Sequence, residues 1–319
     1  MGNPLKNVVL HSLRAAGLFS VSTRVRRSGS LVILCYHGIS LNDEHEWAGG
    51  LYITPEFFRK RLEFLRSWRA NVLPLDEGLT RLRAGSLPPR SVAITFDDGF
   101  YDFYKFAYPA LREFGFPCTV YLTTWYMQYR LPIFNLITKY ILWKGARPEF
   151  RSVEARDQAV ARYMEKLAAE DLSPDGADAL ARGIAESAGL DYEGMRRARM
   201  FQIMSPDEVR DLAASGFDIQ LHTHRHRTPA DRNLFIREIE DNRKRIREVT
   251  GTDPRHFCYP SGVTSPQFLP WLKECGVQSA TTCVRGAVTT SENPLLLPRY
   301  LDGTGSSELD FESWLSGIR

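Results

Sequence analysis

Strand-like and helix-like runs alternate along most of this 319-residue chain, and that alternation predicts an α/β fold on a parallel sheet, closed or nearly closed. Two polar clusters strengthen the prediction, because each directly follows a β-branched or aromatic run. Asp97-Asp98-Gly99 follows Ser91–Phe96, and His222-Thr223-His224-Arg225-His226 follows Phe217–Leu221. The carboxyl ends of parallel strands are where α/β folds place active sites, so both clusters are expected on one rim. The composition is that of an ordinary globular chain, with 43% hydrophobic and 25% charged residues.

The elements follow in order. Leu31–Tyr36 reads as the first strand and ends at His37. Thr54-Pro55 supplies an N-cap and a first-turn proline for a helix through Phe57–Trp68, in which Phe58, Leu62 and Leu65 recur at helical spacing. A short helix is expected over Asp76–Arg83, then the strand Ser91–Phe96, a helix over Tyr104–Phe114 and a strand over Cys118–Leu122. Ser205-Pro206-Asp207-Glu208 is a capping box opening a helix to Ala214. The strand Phe217–Leu221 and a long charged helix over Leu234–Val249 come next. Strands at Phe257–Tyr259, Ser279–Cys283 and Leu295–Leu297, with helices at Pro266–Glu274 and Leu309–Leu315, complete the set.

Two stretches depart from the alternation. Residues 125–204 contain helical runs such as Leu136–Trp143 and Ala155–Ala169 but no convincing strand, and read as a helical insertion overhanging the rim. Trp125, Tyr126, Tyr129 and Trp143 suit either stacking on sugar rings or the insertion's own small core. Residues 1–30 form a separate N-terminal segment, in which Leu5, Val8, Val9, Leu13 and Leu18 fall near helical spacing among Lys6, Arg14, Arg24, Arg26 and Arg27. This amphipathic helix either packs on the barrel or associates peripherally with an anionic membrane surface.

The chemistry of the two clusters is that of metal-assisted hydrolysis. A catalytic divalent ion needs a few imidazole or carboxylate ligands and an open position for water. Asp98, His222 and His226 are the candidate ligands, and the remaining carboxylate, Asp97, is the candidate general base. Zinc is the expected ion, although two imidazoles and a carboxylate also suit Co²⁺ and other first-row divalent ions. His224 is expected to turn away from the other imidazoles.

Taken in order, Thr95-Phe96-Asp97-Asp98-Gly99, the H-T-x-x-H run at 222–226 and Phe257-Cys258-Tyr259-Pro260-Ser261-Gly262 resemble the motifs of polysaccharide deacetylases with the NodB-homology domain, carbohydrate esterase family 4. The resemblance runs from about Leu31 to the C-terminus. It implies a distorted (β/α) barrel over 31–319 and metal-dependent removal of acetyl groups, N-acetyl favoured, from an acetylated glycan or a lipid-linked sugar. It also implies that Asp97 is the base, that Asp98, His222 and His226 hold the metal, and that a backbone N–H near Ser261, within Tyr259-Pro260-Ser261-Gly262, stabilises the oxyanion.

The chain departs from the common family form in two places. The third motif usually reads Arg-Pro-Pro-Tyr-Gly, its arginine orienting the base, whereas here Cys258 holds that position. The usual late Leu-x-His is missing, since no histidine follows His256. With Leu34-Cys35-Tyr36-His37-Gly38, this pattern resembles the exopolysaccharide-associated branch, whose members are similar to poly-N-acetylglucosamine deacetylases. His37, at a strand end, is the candidate to bind substrate or donate a proton. Arg299, in the strand-like run Leu295–Tyr300, is the candidate to pair with Asp97.

Other functions compete less well. Relatives of this fold cleave other linear or cyclic amides, and a non-catalytic glycan-binding barrel is a third alternative that the intact Asp97, Asp98, His222 and His226 oppose. A net charge of +3 spread along the chain offers no concentrated basic face for nucleic acid. Five cysteines, odd in number and without a C-x-x-C, predict buried free thiols in a reducing compartment. With no apolar h-region in Met1–Ser30 and no run near the ~20 apolar residues that span a bilayer, the expected location is cytoplasmic or membrane-peripheral.

Overall fold

Period-2 alternation along parallel strands decides which side chains enter the interior of this computed structural model, which describes residues 4–171 and 173–318, without the side chains of residues 4, 5 and 7. The strands are β1 (Val32–Tyr36), β2 (Gly38–Ile39), β3 (Tyr52–Ile53), β4 (Asn71–Val72), β5 (Ser91–Phe96), β6 (Thr119–Leu122), β7 (Asp218–Leu221), β8 (His256–Cys258), β9 (Ser279–Arg285) and β10 (Leu297–Leu301). Seven of them close a parallel barrel in the order β1-β10-β9-β8-β7-β6-β5, with β5 returning to β1 from Val32↔Val92 to Tyr36↔Phe96. β4 pairs with the first two residues of β5, while β6 pairs with its last two. β2 and β3 form a separate parallel pair.

Alternation splits the core in two. On β1 and β5, Ile33 and Ala93 face inward, where they pack with Leu31, Tyr121, Cys258 and Leu297. The helix Leu75–Arg83 plugs that space with Leu75, Leu79 and Leu82. Val32, Leu34, Val92, Ile94 and Phe96 face outward against the helices. Phe96 is fully buried, with its ring 5.3 Å from Tyr36, 5.3 Å from Phe58 and 4.8 Å from Phe103. Burying such a side chain stabilises the fold by about 1.5–3 kcal/mol. Farther along the strands the interior turns polar, at Thr95, Asp97, His222 and Arg299, all buried.

Helix boundaries follow the local signals. Thr54 accepts the Phe57 N–H ahead of Pro55–Ser67, and Ser205 and Glu208 close a reciprocal capping box on Pro206–Ala214. The expected helix over Tyr104–Phe114 instead opens with a π-turn, Phe103–Ala107, in which the Tyr108 N–H reaches back to the Phe103 carbonyl. Pro109, lacking an N–H and crowding the preceding turn, accounts for the widening.

The last strand corrects the reading of the sequence. It spans Leu297–Leu301 rather than Leu295–Leu297, because the Leu295 and Leu296 N–H groups are taken by the Asn293 side chain and carbonyl in a local turn. Pro298 then sits inside the strand, and the register against β9 shifts between Leu297 and Arg299. A proline that cannot donate to the ladder accounts for this irregularity. The consequence is functional, since Arg299 lies in mid-strand and is fully buried.

The N-terminal segment is two helices, Pro4–Ala15 and Leu18–Arg26, broken at Gly17 with φ 73°. Residues 1–3 and the Leu5 side chain of the expected amphipathic segment lie outside the described residues. The pair packs on the helix Glu308–Leu315 through Leu10, Phe19 and Leu309. Lys6 pairs with Asp310 at 2.7 Å, Arg14 with Glu312 at 2.9 Å, and Arg27 stacks 4.6 Å from the Trp314 ring.

Residues 125–204 fold as helices, the longest being Phe134–Lys144, Val153–Ala169 and Pro174–Ser187, with no strand among the described residues. Both ends of this span are tied to the rim. The Trp125 N–H donates to the His224 carbonyl at 2.8 Å, the Met204 N–H to the Gly99 carbonyl at 3.0 Å, and the Tyr101 N–H to the Gln202 carbonyl at 2.8 Å. Trp143 packs against Tyr140, itself part of a buried aromatic cluster with Trp47 and Phe201. Trp125 packs against both Tyr126 and Tyr129, with ring centroids 4.9 and 4.7 Å apart. Among the described residues no helix is long and apolar enough to cross a membrane.

Candidate active site

Asp97 and Asp98 leave β5 in opposite directions. Asp97 continues the ladder, its N–H donating to the Tyr36 carbonyl at 2.9 Å, so its side chain enters the barrel. Asp98 adopts φ 68°, a left-handed conformation that Asp tolerates, and Gly99 follows at φ 82°. A Cβ on Gly99 would lie 2.3 Å from Leu122 Cδ1, so this turn requires glycine.

The histidine loop is held by two polar residues of the helix Arg232–Thr250. Asn242 accepts the His222 N–H at 2.9 Å and donates to the Leu122 carbonyl and Thr124 Oγ1, both at 2.9 Å. Glu238 accepts the Arg225 N–H at 2.8 Å and Arg227 Nε at 2.7 Å, and its carbonyl accepts the His224 N–H at 3.0 Å. Thr223 at φ 62° and His226 at φ 54° reverse the chain, which brings the His226 ring within 4.9 Å of His222. His224 turns away, with Nδ1 2.9 Å from Thr124 Oγ1.

Asp98, His222 and His226 converge. Asp98 Oδ1 lies 3.3 Å from His222 Nε2 and 3.1 Å from His226 Nε2, and the three ligand atoms fall within 4.8 Å of one another. His222 Nδ1 is 2.8 Å from the Cys258 carbonyl, which only accepts, so Nδ1 carries a proton and Nε2 is the nitrogen turned toward Asp98 and available to a metal. A ligand imidazole with its other nitrogen pinned to a carbonyl is a common second layer of a metal site. One carboxylate and two imidazoles fit a first-row divalent ion. Burial alone would raise the Asp98 pKa, but His226 and His222 hold it well below the usual carboxylate range.

Asp97 has a different environment. Arg299 donates Nη1 to Oδ1 and Nη2 to Oδ2, each at 2.7 Å, and is itself fixed by Nε to the Thr282 carbonyl at 2.9 Å. Cys258 Sγ lies 3.3 Å and Cys35 Sγ 3.7 Å from Oδ2, with thiols that burial keeps protonated. His37 Nε2 is 3.6 Å from the same oxygen. Burial would raise the Asp97 pKa, but the Arg299 guanidinium, helped by His37 and His222, holds it far below the usual range. Burial lowers the pKa of His37 against the pull of Asp97 and Asp98.

The third motif narrows on inspection. The Tyr259 N–H donates to the Thr281 carbonyl at 3.2 Å and its hydroxyl to the Leu295 carbonyl at 3.0 Å, so Tyr259 belongs to the core and neither group faces a substrate. The Gly262 N–H donates to the Tyr259 carbonyl at 3.0 Å, and Pro260 is buried and has no N–H. The backbone donors of Tyr259 and Gly262 are thus spent and Pro260 has none, so these three residues offer no N–H to an oxyanion. The Ser261 N–H, on a residue at φ 54°, is the donor of the run outside these bonds.

Cys35, Cys258, Glu238 and Asn242 were not singled out as site residues from the sequence. The signal for the last two was present, as they interrupt the buried stripe Phe235, Ile239, Ile246 of their helix at i, i+4 spacing. All five thiols are free, and four are buried as expected, but Cys283 is exposed near the end of β9.

The fold and site together describe a barrel hydrolase with a two-histidine, one-carboxylate centre. The chain belongs to the polysaccharide deacetylase family, whose model matches residues 84–280. That span includes all three motifs but neither His37 nor Arg299. The poly-beta-1,6-N-acetyl-D-glucosamine N-deacetylase of Staphylococcus aureus is 19% identical over 291 residues, covering 91% of this chain and 80% of that protein. Among solved structures, the Streptococcus pyogenes deacetylase PplD in complex with acetate aligns with a TM-score of 0.61 at 17% identity, over 88% of this chain and 96% of that one. IcaB from Ammonifex degensii aligns at 0.59 and 19%, over 90% and 97%. At these identities the structural likeness speaks for the fold.

Proposed function

We propose that this protein is a metal-dependent N-deacetylase of an acetylated amino-sugar polymer or its lipid-linked precursor. The observation that carries the reading is the division of labour between adjacent carboxylates, Asp97 clamped by Arg299 and Asp98 converging with His222 and His226. A divalent ion held by Asp98, His222 and His226, with zinc the first choice, would supply Lewis-acid polarisation and a water of lowered pKa.

The chain's own groups account for the protons. Asp97 takes a proton from the attacking water as the water oxygen bonds to the acetyl carbon. Arg299 fixes both carboxylate oxygens, which sets the direction of that transfer. The Ser261 N–H donates to the oxyanion, commonly a large catalytic contribution. His37, 3.6 Å from Asp97 Oδ2, receives the proton and delivers it to the amine nitrogen as the C–N bond breaks, leaving acetate and a free amino sugar. His37 thus stands in for the missing late histidine, and Arg299 for the missing motif arginine.

Acetate release from N-acetylglucosamine oligomers tests the reading, with chelated protein and zinc- or cobalt-restored protein in parallel. Metal-restored release is expected. Activity confined to small linear or cyclic amides would instead support the amide-hydrolase alternative. A membrane-peripheral location is part of the proposal, because Val8, Val9, Leu18, Val21 and Val25 are exposed on the N-terminal helices. Flotation with anionic vesicles, lost on Val21→Asp/Val25→Asp, tests it.

A further inference from the structure

The helical insertion contains an apolar cavity of about 220 Å³, walled by Trp125, Leu131, Ile137, Met164, Leu167 and Ala181. Two of its polar wall groups, Tyr192 and Asp178, are spent on each other. The Tyr192 hydroxyl donates to Asp178 at 2.7 Å, and Arg196 pairs with the same carboxylate at 3.3 Å. Apolar side chains make up most of the lining, so aliphatic surface gains more there than a sugar, whose many hydroxyls would each need a partner to replace water.

Directly alongside lies a cleft of about 440 Å³ containing Arg130, Arg196, Arg197 and Arg199 against Glu193 and Glu208. The two spaces share a wall. Tyr129 and Leu131 line the cavity while Arg130 between them lines the cleft, and Tyr192 and Glu193 divide in the same way. Arg199 is bidentate on Glu208, but Arg130 is exposed and forms no ion pair among the described residues. The cleft therefore keeps the uncompensated guanidinium of Arg130, and Arg197 is held only by an exposed pair with Asp191 at 3.3 Å, so both present forked donors suited to phosphate oxygens.

Both spaces adjoin the catalytic rim. Trp125 hydrogen-bonds the histidine loop at His224, and Gln202, in the cleft wall, bonds Tyr101 beyond the Asp97-Asp98-Gly99 turn. Arg199 also stacks 3.6 Å from the Tyr101 ring.

We propose that the insertion binds a single-chain lipid phosphate, with the aliphatic or prenyl chain in the apolar cavity and the phosphate in the arginine cleft. A sugar linked to that phosphate would then be presented at the rim. This last step rests on the deacetylase reading, whereas the binding itself does not.

Calorimetric titration of the purified full chain with farnesyl phosphate, farnesol and inorganic phosphate tests the proposal. Farnesyl phosphate should bind at least about tenfold more tightly than either fragment, since chain and head contribute together. Ala177→Phe, which projects a ring from the cavity wall, should abolish the advantage over inorganic phosphate. Arg130→Ala/Arg197→Ala should abolish the advantage over farnesol. Unchanged melting temperatures show that each variant folds. Equal affinity for farnesyl phosphate and either fragment, no binding at all, or binding indifferent to both variants would overturn the proposal. Since no turnover is measured, these results are independent of whether the protein releases acetate from soluble oligomers.

Discussion

Replacing Arg299 by methionine isolates the contact on which the proposed base depends. In the native chain the guanidinium meets both Asp97 oxygens at 2.7 Å and has no solvent exposure, while Asp97 is 2% exposed. Methionine keeps a flexible apolar stem and removes the charge. Asp97 is then left buried with two thiols and His37 as neighbours. Breaking a buried ion pair from one side costs about 3–5 kcal/mol, much of it the penalty of the stranded charge. Adding Asp97→Asn removes that charge, so the double variant should be more stable than Arg299→Met alone, with a coupling energy of about 2 kcal/mol or more. Urea denaturation of the four chains of the cycle measures it. Acetate release by Arg299→Met should fall about a hundredfold, the usual consequence of misplacing a reacting group by an ångström. Metal content should persist, because Arg299 touches none of the three ligands. A coupling below about 0.5 kcal/mol would refute the reasoning, since non-interacting sites add within that margin.

Asp97→Asn alone should retain bound metal and lose about 10²–10⁴-fold in turnover, the usual contribution of a general base. Metal analysis beside an acetate assay checks it, and an active variant would remove Asp97 from the role. Asp302→Ala strands Arg61, which bonds Asp302 at 2.7 and 3.2 Å in a buried site with the Tyr36 hydroxyl at 3.1 Å. A stability loss of about 3–5 kcal/mol is expected from thermal or urea denaturation, and a loss within experimental error would contradict it. Burial lowers the pKa of His256, against the raising pull of Asp218 and Asp76. Its folded pKa lies below the unfolded value of about 6.5, so its stability contribution is intact above that pH and is lost as pH falls below it. His256→Asn should flatten this acid limb of the urea midpoint, and an unchanged limb would exclude His256 as its source.

Much of the fold was legible because its signals are local. Ser91–Phe96 forms the strand expected from its β-branched run, and the Thr54-Pro55 and Ser205–Glu208 caps open helices where their side chains meet free N–H groups. The misreadings came from competing local bonds and from proline. Asn293 took the N–H groups of Leu295 and Leu296, and Pro109 widened the turn ahead of it. The short strands β2, β3 and β4, two residues each, carry too little pattern to be read from periodicity.

The site divides along the same line. Residue type and motif order singled out Asp97, Asp98, His222 and His226, because their chemistry is carried by runs of a few residues. Closing the barrel was needed to bring Arg299 onto Asp97 across 202 positions and to set Cys35 and Cys258 beside the same oxygen. Asn242 and Glu238 anchor the histidine loop from a helix whose periodicity marks them as buried but not which groups they bond. Likewise, Tyr259 turned into the core only when β9 offered the Thr281 carbonyl to its N–H. Sequence alone determined which residue types stand together and at which strand ends. Tertiary structure decided which groups surround Asp97, which N–H of the third motif stays outside its internal bonds, and how the insertion sets an apolar cavity beside an arginine cleft. These are contacts between distant strands and helices, and no local periodicity encodes them.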